Sequence, residues 1–158
     1  MLLQRVNRSN PEKVFIVVKN SYSTASLTNG QAVVWDWTTD KDGVGVTVGF
    51  GTNNVSCGID VAGVATETIA SGDYGLIQVY GYHSATRVRR MTSTGHIYHE
   101  STANVAVGTP LVGGVSTDFC LEGITVAETA QVLHPCAFAL AATTLYTTAA
   151  QAVFLKCL

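Results

Sequence analysis

Charge is the scarcest property of this sequence. Charged residues make up 13% of the chain, about half of the ~25% that is typical of soluble domains. The net charge of −2 leaves no positive excess for a phosphate backbone, so we predict no nucleic-acid partner. A lone soluble monomer normally carries more surface charge than this. We therefore expect partners, or further copies of this chain, to cover much of the surface.

Paired cysteines are also missing. No Cys-x-x-Cys motif occurs, and no histidine stands at zinc-finger spacing from such a pair, so the spacing predicts no structural zinc site. Most of the cysteines have apolar neighbours, which predicts free, buried thiols that act as small apolar side chains. This arrangement is typical of proteins that assemble in a reducing cytoplasm. The four are Cys57, Cys120, Cys136 and Cys157.

Long apolar runs are absent as well. No run approaches the ~20 apolar residues of a membrane-spanning helix, so we predict no membrane partner. Met1, Leu2 and Leu3 are followed at once by Gln4 and Arg5. Because an apolar core segment is missing there, we predict no signal peptide.

The sequence also lacks a recognisable catalytic constellation. His83, Ser84 and Asp73 supply the residue types of a catalytic triad, but no G-x-S-x-G elbow accompanies them. His96 and His99 are three residues apart, and that spacing places two side chains on one side only in a helix. Since we predict a non-helical segment there, we predict no metal site, no cofactor and no enzyme activity.

The pattern that is present is that of short β-strands. The run Tyr74–Tyr80 is aromatic and aliphatic, and it follows the turn formers Ser71, Gly72 and Asp73, so we predict a turn and then a mostly buried strand. The continuous apolar run Val14–Val18 also predicts a buried strand. Within 31–37, Ala32 and Val34 alternate with bulkier residues, which is a strand period.

Short segments with strand-like patterns recur about every 8–12 residues along the chain, with turn-forming residues between them. We therefore predict an all-β fold, either an antiparallel β-sandwich or a small β-barrel. One region, Ala141–Ala150, is rich in alanine, so a helix there remains an alternative. Gly63–Ala65 before the strand from Tyr74 is echoed by Ala137–Ala139 before a strand from Val153. We assign residues 1–12 to an extended N-terminal arm and 13–158 to a single β domain.

Candidate interface residues fall in three groups. Trp35 and Trp37 point the same way in a strand, so they form either core or an anchor at a protein interface. A basic cluster follows the central strand and indicates either a solvated strand end or a salt-bridge contact to an acidic protein. The third group lies in the arm. The basic cluster is Arg87, Arg89 and Arg90, and the arm residues are Leu2, Leu3, Arg5, Val6 and Arg8.

The motif GVA at 63–65, followed by IASGDYGLIQVYG at 69–81, resembles the small β-rich virion proteins of tailed bacteriophages. The later VGTPL at 107–111 and the apolar final strand resemble them too. These are head decoration, or cement, proteins, which sit on the outer capsid and lock neighbouring major capsid subunits together. The resemblance covers roughly residues 44–112 and brings no catalytic residues with it.

The resemblance implies a structural virion protein that binds the outer capsid surface and stabilises contacts between major capsid subunits. The partners would be the major capsid protein and the chain itself, as a homo-oligomer, with a trimer as a frequent form of the family. Such a protein assembles in the host cytoplasm and resides on the capsid surface. The alternative from another class is a tail or receptor-binding module that stacks sugars on Trp35, Trp37, Tyr80 and Tyr82.

Overall fold

The computed structural model describes residues 12–48, 61–90, 104–114, 120–123, 135–144 and 147–157. Within these ranges the chain forms strands and no helix, so the all-β prediction is confirmed. The strands are β1 (Val14–Asn20), β2 (Ala32–Trp35), β3 (Gly45–Thr47), β4 (Val61–Ala65), β5 (Tyr74–Arg89), β6 (Pro110–Gly113), β7 (Leu121–Gly123), β8 (Ala137–Ala139) and β9 (Ala149–Lys156).

The first five strands close into a barrel, which we call barrel one. β1 pairs with β3 in parallel, and the remaining pairs, β3–β2, β2–β4, β4–β5 and β5–β1, are antiparallel. Val18, Val33, Ile77 and Val79 belong to its apolar core cluster. Closure gives these strands neighbours on both sides, which removes the open edges along which β-proteins aggregate.

The second barrel, barrel two, closes on the same central strand. β5 pairs with β7 in parallel, and β7–β6, β6–β8, β8–β9 and β9–β5 are antiparallel. The 16-residue β5 belongs to both barrels, because its N-terminal part pairs with β1 and β4 and its C-terminal part with β7 and β9. A register shift between His83 and Thr86 marks a β-bulge, which increases the local bend and twist of the strand.

The two barrels are structural repeats of each other. Each begins with a strand that pairs in parallel with the third strand of its barrel, and the four other pairings follow in the same order and direction. An isolated bridge lies at the same place in both, Leu27 with Ile69 in barrel one and Val105 with Thr143 in barrel two. The strand order alone therefore indicates a duplicated five-strand unit that shares β5.

Backbone hydrogen bonds confirm the correspondence around one turn of each barrel. The Gly30 N–H donates to the Ala65 carbonyl (2.8 Å), and the Gly108 N–H donates to the Ala139 carbonyl (2.8 Å). Both glycines have a left-handed φ, 84° and 86°. The turn Thr28–Gly30 in barrel one is thus the counterpart of Ala106–Gly108 in barrel two.

The strand prediction for Gln31–Trp37 is confirmed over Ala32–Trp35. Successive side chains of β2 point to opposite faces and so enter two different core clusters. Val33 joins the core of barrel one, whereas Ala32 and Val34 pack into a second cluster. That second cluster also contains Val88, Leu111 and most buried residues of barrel two. The outer face of β2 therefore serves as the packing surface between the barrels.

The antiparallel expectation and the alternative of a helix in 141–150 need correction. The sheet is not purely antiparallel, because β1–β3 and β5–β7 are parallel. β5 continues past Tyr82 to Arg89, since the bulge keeps it paired with β9. Pro110 begins β6, a position where a strand needs no N–H donor. No helix occurs in the described parts of 141–150, where Thr143 makes a bridge and β9 begins at Ala149.

Candidate interaction surfaces

One outer face of barrel one is apolar and exposed. Phe15 and Val17 on β1 are 44% and 64% exposed, and Tyr74 and Leu76 on β5 are 65% and 40% exposed. Val17 is directly opposite Leu76 in the antiparallel register, so the four side chains lie together. We call them the β1–β5 face. The strand predicted for Val14–Val18 is confirmed, but its predicted burial is wrong, because Phe15 and Val17 face solvent.

Charged and polar groups border the β1–β5 face. Lys19 is opposite Tyr74 in the register, and the Lys13 ammonium lies 5.8 Å from the centre of the Tyr82 ring, within range of a cation–π attraction. A Glu67 carboxylate oxygen accepts the Leu76 backbone N–H (2.9 Å). An apolar centre with a polar rim is the usual anatomy of a protein–protein interface.

Barrel two exposes apolar side chains at a different place. Val107 in the turn Ala106–Gly108 is 68% exposed, and Leu140 at the end of β8 is 41% exposed. The hydrogen bond from the Gly108 N–H to the Ala139 carbonyl places Val107 and Leu140 on neighbouring segments. We call this pair the Val107 turn surface. Sequence analysis missed it, because an apolar residue beside a glycine is found in buried strands as well as in exposed turns.

The two tryptophans take different roles. Their ring centres are 6.0 Å apart at an interplanar angle of 41°. Trp35 packs against the core of barrel one, whereas Trp37 is 54% exposed. The structure thus packs the partly buried Trp35 against the core and leaves Trp37 as a solvent-facing ring that a partner can contact.

The basic cluster is engaged within the chain. Arg87 donates to the Thr28 hydroxyl (2.7 Å) and Arg90 to the Asn104 side-chain oxygen (3.3 Å). Arg89 donates to the fully buried Glu122 carboxylate and forms an ion pair with it. A role of these arginines in binding a partner remains a prediction. Leu2, Leu3, Arg5, Val6 and Arg8 lie outside the described residues.

The triad residue types are not assembled. Asp73 precedes the start of β5 and His83 lies ten residues along it, which in an extended strand is about 30 Å. The His83 Nδ1 instead lies 2.9 Å from the Thr86 hydroxyl. The structure therefore gives no support to hydrolysis by these residues. The histidine pair at 96 and 99 lies outside the described residues.

His83 is 7% exposed, and its burial, together with the charge of nearby Lys13, lowers its pKa. Because the unfolded chain binds the proton more tightly, the contribution of neutral His83 to stability is present above the ordinary pKa of about 6.5 and is lost as the pH falls through the lowered value. We expect the free energy of unfolding, from urea melts between pH 7.5 and 5, to fall less in His83→Gln than in the natural chain. Parallel curves for the two proteins would contradict this.

Among the described residues, no group of three histidine, cysteine, aspartate or glutamate side chains is placed to hold a metal ion. The same part of the chain has no helix with the length and apolarity needed to cross a membrane. Cys120, Cys136 and Cys157 are free thiols. A side-chain hydrogen bond with Cys157 that favours the protonated Cys136 thiol, together with burial, raises the pKa of Cys136, which makes it a poor nucleophile.

No protein-family model matches the chain, and no curated protein matches it. Among solved structures, the crystal structure of the head fiber gp8.5 N base of bacteriophage phi29 is similar at 12% identity, with a TM-score of 0.48. The alignment covers 92% of this chain and 96% of that chain. An identity and a score this low leave the function to be argued from the chain itself.

Proposed function

We propose that this chain is a structural virion protein of a bacteriophage, which binds the outer surface of the capsid and stabilises contacts between major capsid subunits. The observation that carries the proposal is the exposed apolar face on β1 and β5, in a chain of which only 13% is charged. Tyr74, Leu76 and Tyr82 lie along one side of β5 and would contact the shell.

The position of the N-terminal segment supports the same assignment. The Glu12 carbonyl lies so close to Gly81 that a Cβ at that glycine would collide with it. Glu12, the first described residue, therefore lies against the middle of β5, beside Tyr82, which is 36% exposed. An arm attached there would extend the contact made by β5 to a second capsid subunit.

The test is co-sedimentation with capsids built from the major capsid protein of the same genome. We expect the natural chain to bind, and Tyr74→Asp with Leu76→Asp to bind at least tenfold more weakly, since each buried side chain of this size contributes about 1.5–3 kcal/mol. Deletion of residues 1–11 should leave the barrels folded and also weaken binding. Ala150→Glu, an exposed site on β9, is the control and should bind normally.

A natural chain that does not co-sediment would overturn the proposal. The competing function is a carbohydrate-binding module, which the exposed Trp37 ring beside Trp35 favours. Glycan-array binding that is lost in a folded Trp37→Ala variant, together with no binding to capsids, would establish that function instead.

A further inference from the structure

A pocket of about 320 Å³ opens beside Arg87, between the turn Thr28–Gly30 of barrel one and the start of β9 in barrel two. Its volume falls within the roughly 300–1,000 Å³ that is usual for small-ligand sites. Three of its lining residues are alanines, whose short side chains leave the space around the guanidinium open. No described lining residue belongs to the β1–β5 face. The described lining residues are Asn29, Ala85, Arg87, Thr148, Ala149 and Ala150.

The chain holds Arg87 in a fixed position beside this pocket. Its guanidinium donates to the Thr28 hydroxyl (2.7 Å), and its backbone N–H donates to the Gly30 carbonyl (2.8 Å). A Cβ at Gly30 would collide with the Ala85 carbonyl, so the turn and β5 are in tight contact there. The bond to Thr28 uses one N–H of the guanidinium and leaves the others for a ligand. A cation that is already ordered loses less conformational entropy when it binds.

The charge in this pocket has no counter-charge. Arg87 is the charged group among the described lining residues, and the structure gives it no acidic partner in the described part of the chain. The planar guanidinium matches the oxygens of a carboxylate or a phosphate with two parallel hydrogen bonds. The side chain of Asn29 is exposed at the same pocket and carries further N–H donors. These groups favour an oxyanion as the ligand.

The strand registers place an equivalent pocket on barrel one. Lys19 is the counterpart of Arg87, because each is the residue of the opening strand that directly precedes the same step of the parallel pairing. Tyr74 lies opposite Lys19 in the antiparallel register, and Ala150 lies opposite Arg87. Both basic residues, each with the residue opposite to it, line a pocket.

In barrel one, the chain itself supplies carboxylates to this place. Lys19 lines a pocket of about 360 Å³ together with Asp40 and Asp42. The pocket beside Arg87 has the cation but no acidic residue among its described lining residues. The group that is present in one repeat and missing from the other is a carboxylate, which identifies the kind of oxyanion that suits the Arg87 pocket.

We propose that the Arg87 pocket binds a carboxylate group, carried by a small organic acid or by an acidic side chain of another protein. The carboxylate oxygens accept N–H groups of the guanidinium, and the Asn29 amide donates from the rim. This site lies apart from the β1–β5 face and goes beyond the proposed function, since it needs no contact with the capsid.

The test is an NMR titration of the ¹⁵N-labelled natural chain with sodium acetate, with sodium chloride replaced so that ionic strength and pH stay constant. We expect saturable shifts of the Arg87 and Ala150 amide signals. The pocket of barrel one is the internal control, because its own carboxylates repel acetate. The dissociation constant should therefore be lower at Arg87 than at Lys19 by about tenfold or more, the factor that one charge-assisted hydrogen bond supplies.

Three further probes identify the ligand more closely. Inorganic phosphate that binds more tightly than acetate would contradict the carboxylate assignment. The tripeptide acetyl-Gly-Glu-Gly-amide distinguishes the two sources, with acetyl-Gly-Gln-Gly-amide as its uncharged control. Tighter binding of the glutamate peptide than of acetate identifies an acidic side chain of a protein, and equal binding identifies a free acid.

Two variants close the pocket in different ways. Arg87→Gln removes the charge and keeps an amide that can donate to Thr28, so the acetate shifts should be lost. Ala150→Glu places a carboxylate directly opposite Arg87 in the register, where it fills the pocket from within the chain and should also abolish the acetate shifts. Because Ala150 is exposed, this variant should fold even if Arg87→Gln does not, which the amide spectrum and thermal melting report.

The inference is overturned if the natural chain shows no saturable shift at Arg87, if Lys19 responds equally, or if Ala150→Glu still binds acetate at that place. Capsid binding is a separate result. A chain that co-sediments with capsids but ignores acetate removes this inference and leaves the proposed function standing. A chain that binds acetate at Arg87 and ignores capsids does the reverse.

Discussion

Arg89→Ala should destabilise the protein by about 3–5 kcal/mol, the usual cost of removing one partner of a buried ion pair. Glu122 is fully buried, and the Arg89 side chain is 12% exposed. Removing the guanidinium takes away the counter-charge that Arg89 supplies to this buried carboxylate. This is a large fraction of the roughly 5–15 kcal/mol that stabilises a typical domain.

The matched variant replaces both members, Arg89→Met with Glu122→Leu. Replacing a buried pair by apolar residues of similar volume is often neutral, so we expect this double variant to be close to the natural chain in urea denaturation. Barrel one supports the expectation, because the counterparts of Arg89 and Glu122 in it, Ser21 and Thr47, are uncharged. A single Arg89→Ala variant as stable as the natural chain would show that Glu122 is not held by this pair.

Gly30→Ala should cost about 3 kcal/mol, and Gly108→Ala only about 1–2 kcal/mol, although the two glycines have nearly the same φ. Both variants carry the cost of a side chain in the left-handed region. Only Gly30 has a carbonyl oxygen, that of Ala85, in the space that the Cβ needs. The repeat thus provides its own control for separating backbone strain from collision.

The measurement is the midpoint of urea unfolding for each variant at one low chain concentration. The difference between the two substitutions reports the contact of the Thr28–Gly30 turn with β5. Equal losses for Gly30→Ala and Gly108→Ala would mean that this turn accommodates the added methyl group without cost.

Local sequence patterns predicted where strands occur, but they could not predict which strands pair with each other. The alternation in Ala32–Trp35 and the turn before Tyr74 are set by neighbouring residues, and both are observed. The parallel pairing of Lys19 with Gly45 depends on which strands meet, and no local period carries that information. The length of β5 was hidden because Gly81 and Ser84 look like a break, whereas the bulge at His83–Thr86 absorbs the irregularity.

The duplication of the five-strand unit is only weakly visible in the sequence, and the reason is structural. The echo between Gly63–Ala65 and Ala137–Ala139 coincides with β4 and β8, which occupy equivalent places. Bulges and turns of unequal length shift the spacing between counterparts from one strand to the next, so no single offset aligns the halves. The exposed faces could not be found at all, because Val14–Val18 is apolar on both sides.

The shared strand also determines how the molecule can be divided. A cut between Arg90 and Asn104 would give a first fragment with all five strands of barrel one. The second fragment would hold β6 to β9, a ring with one slot open between β7 and β9. In the intact chain β5 fills that slot, as a donor strand fills a pilin subunit. We therefore expect the two fragments to reunite through β5, which supplies the second fragment with the strand that it lacks.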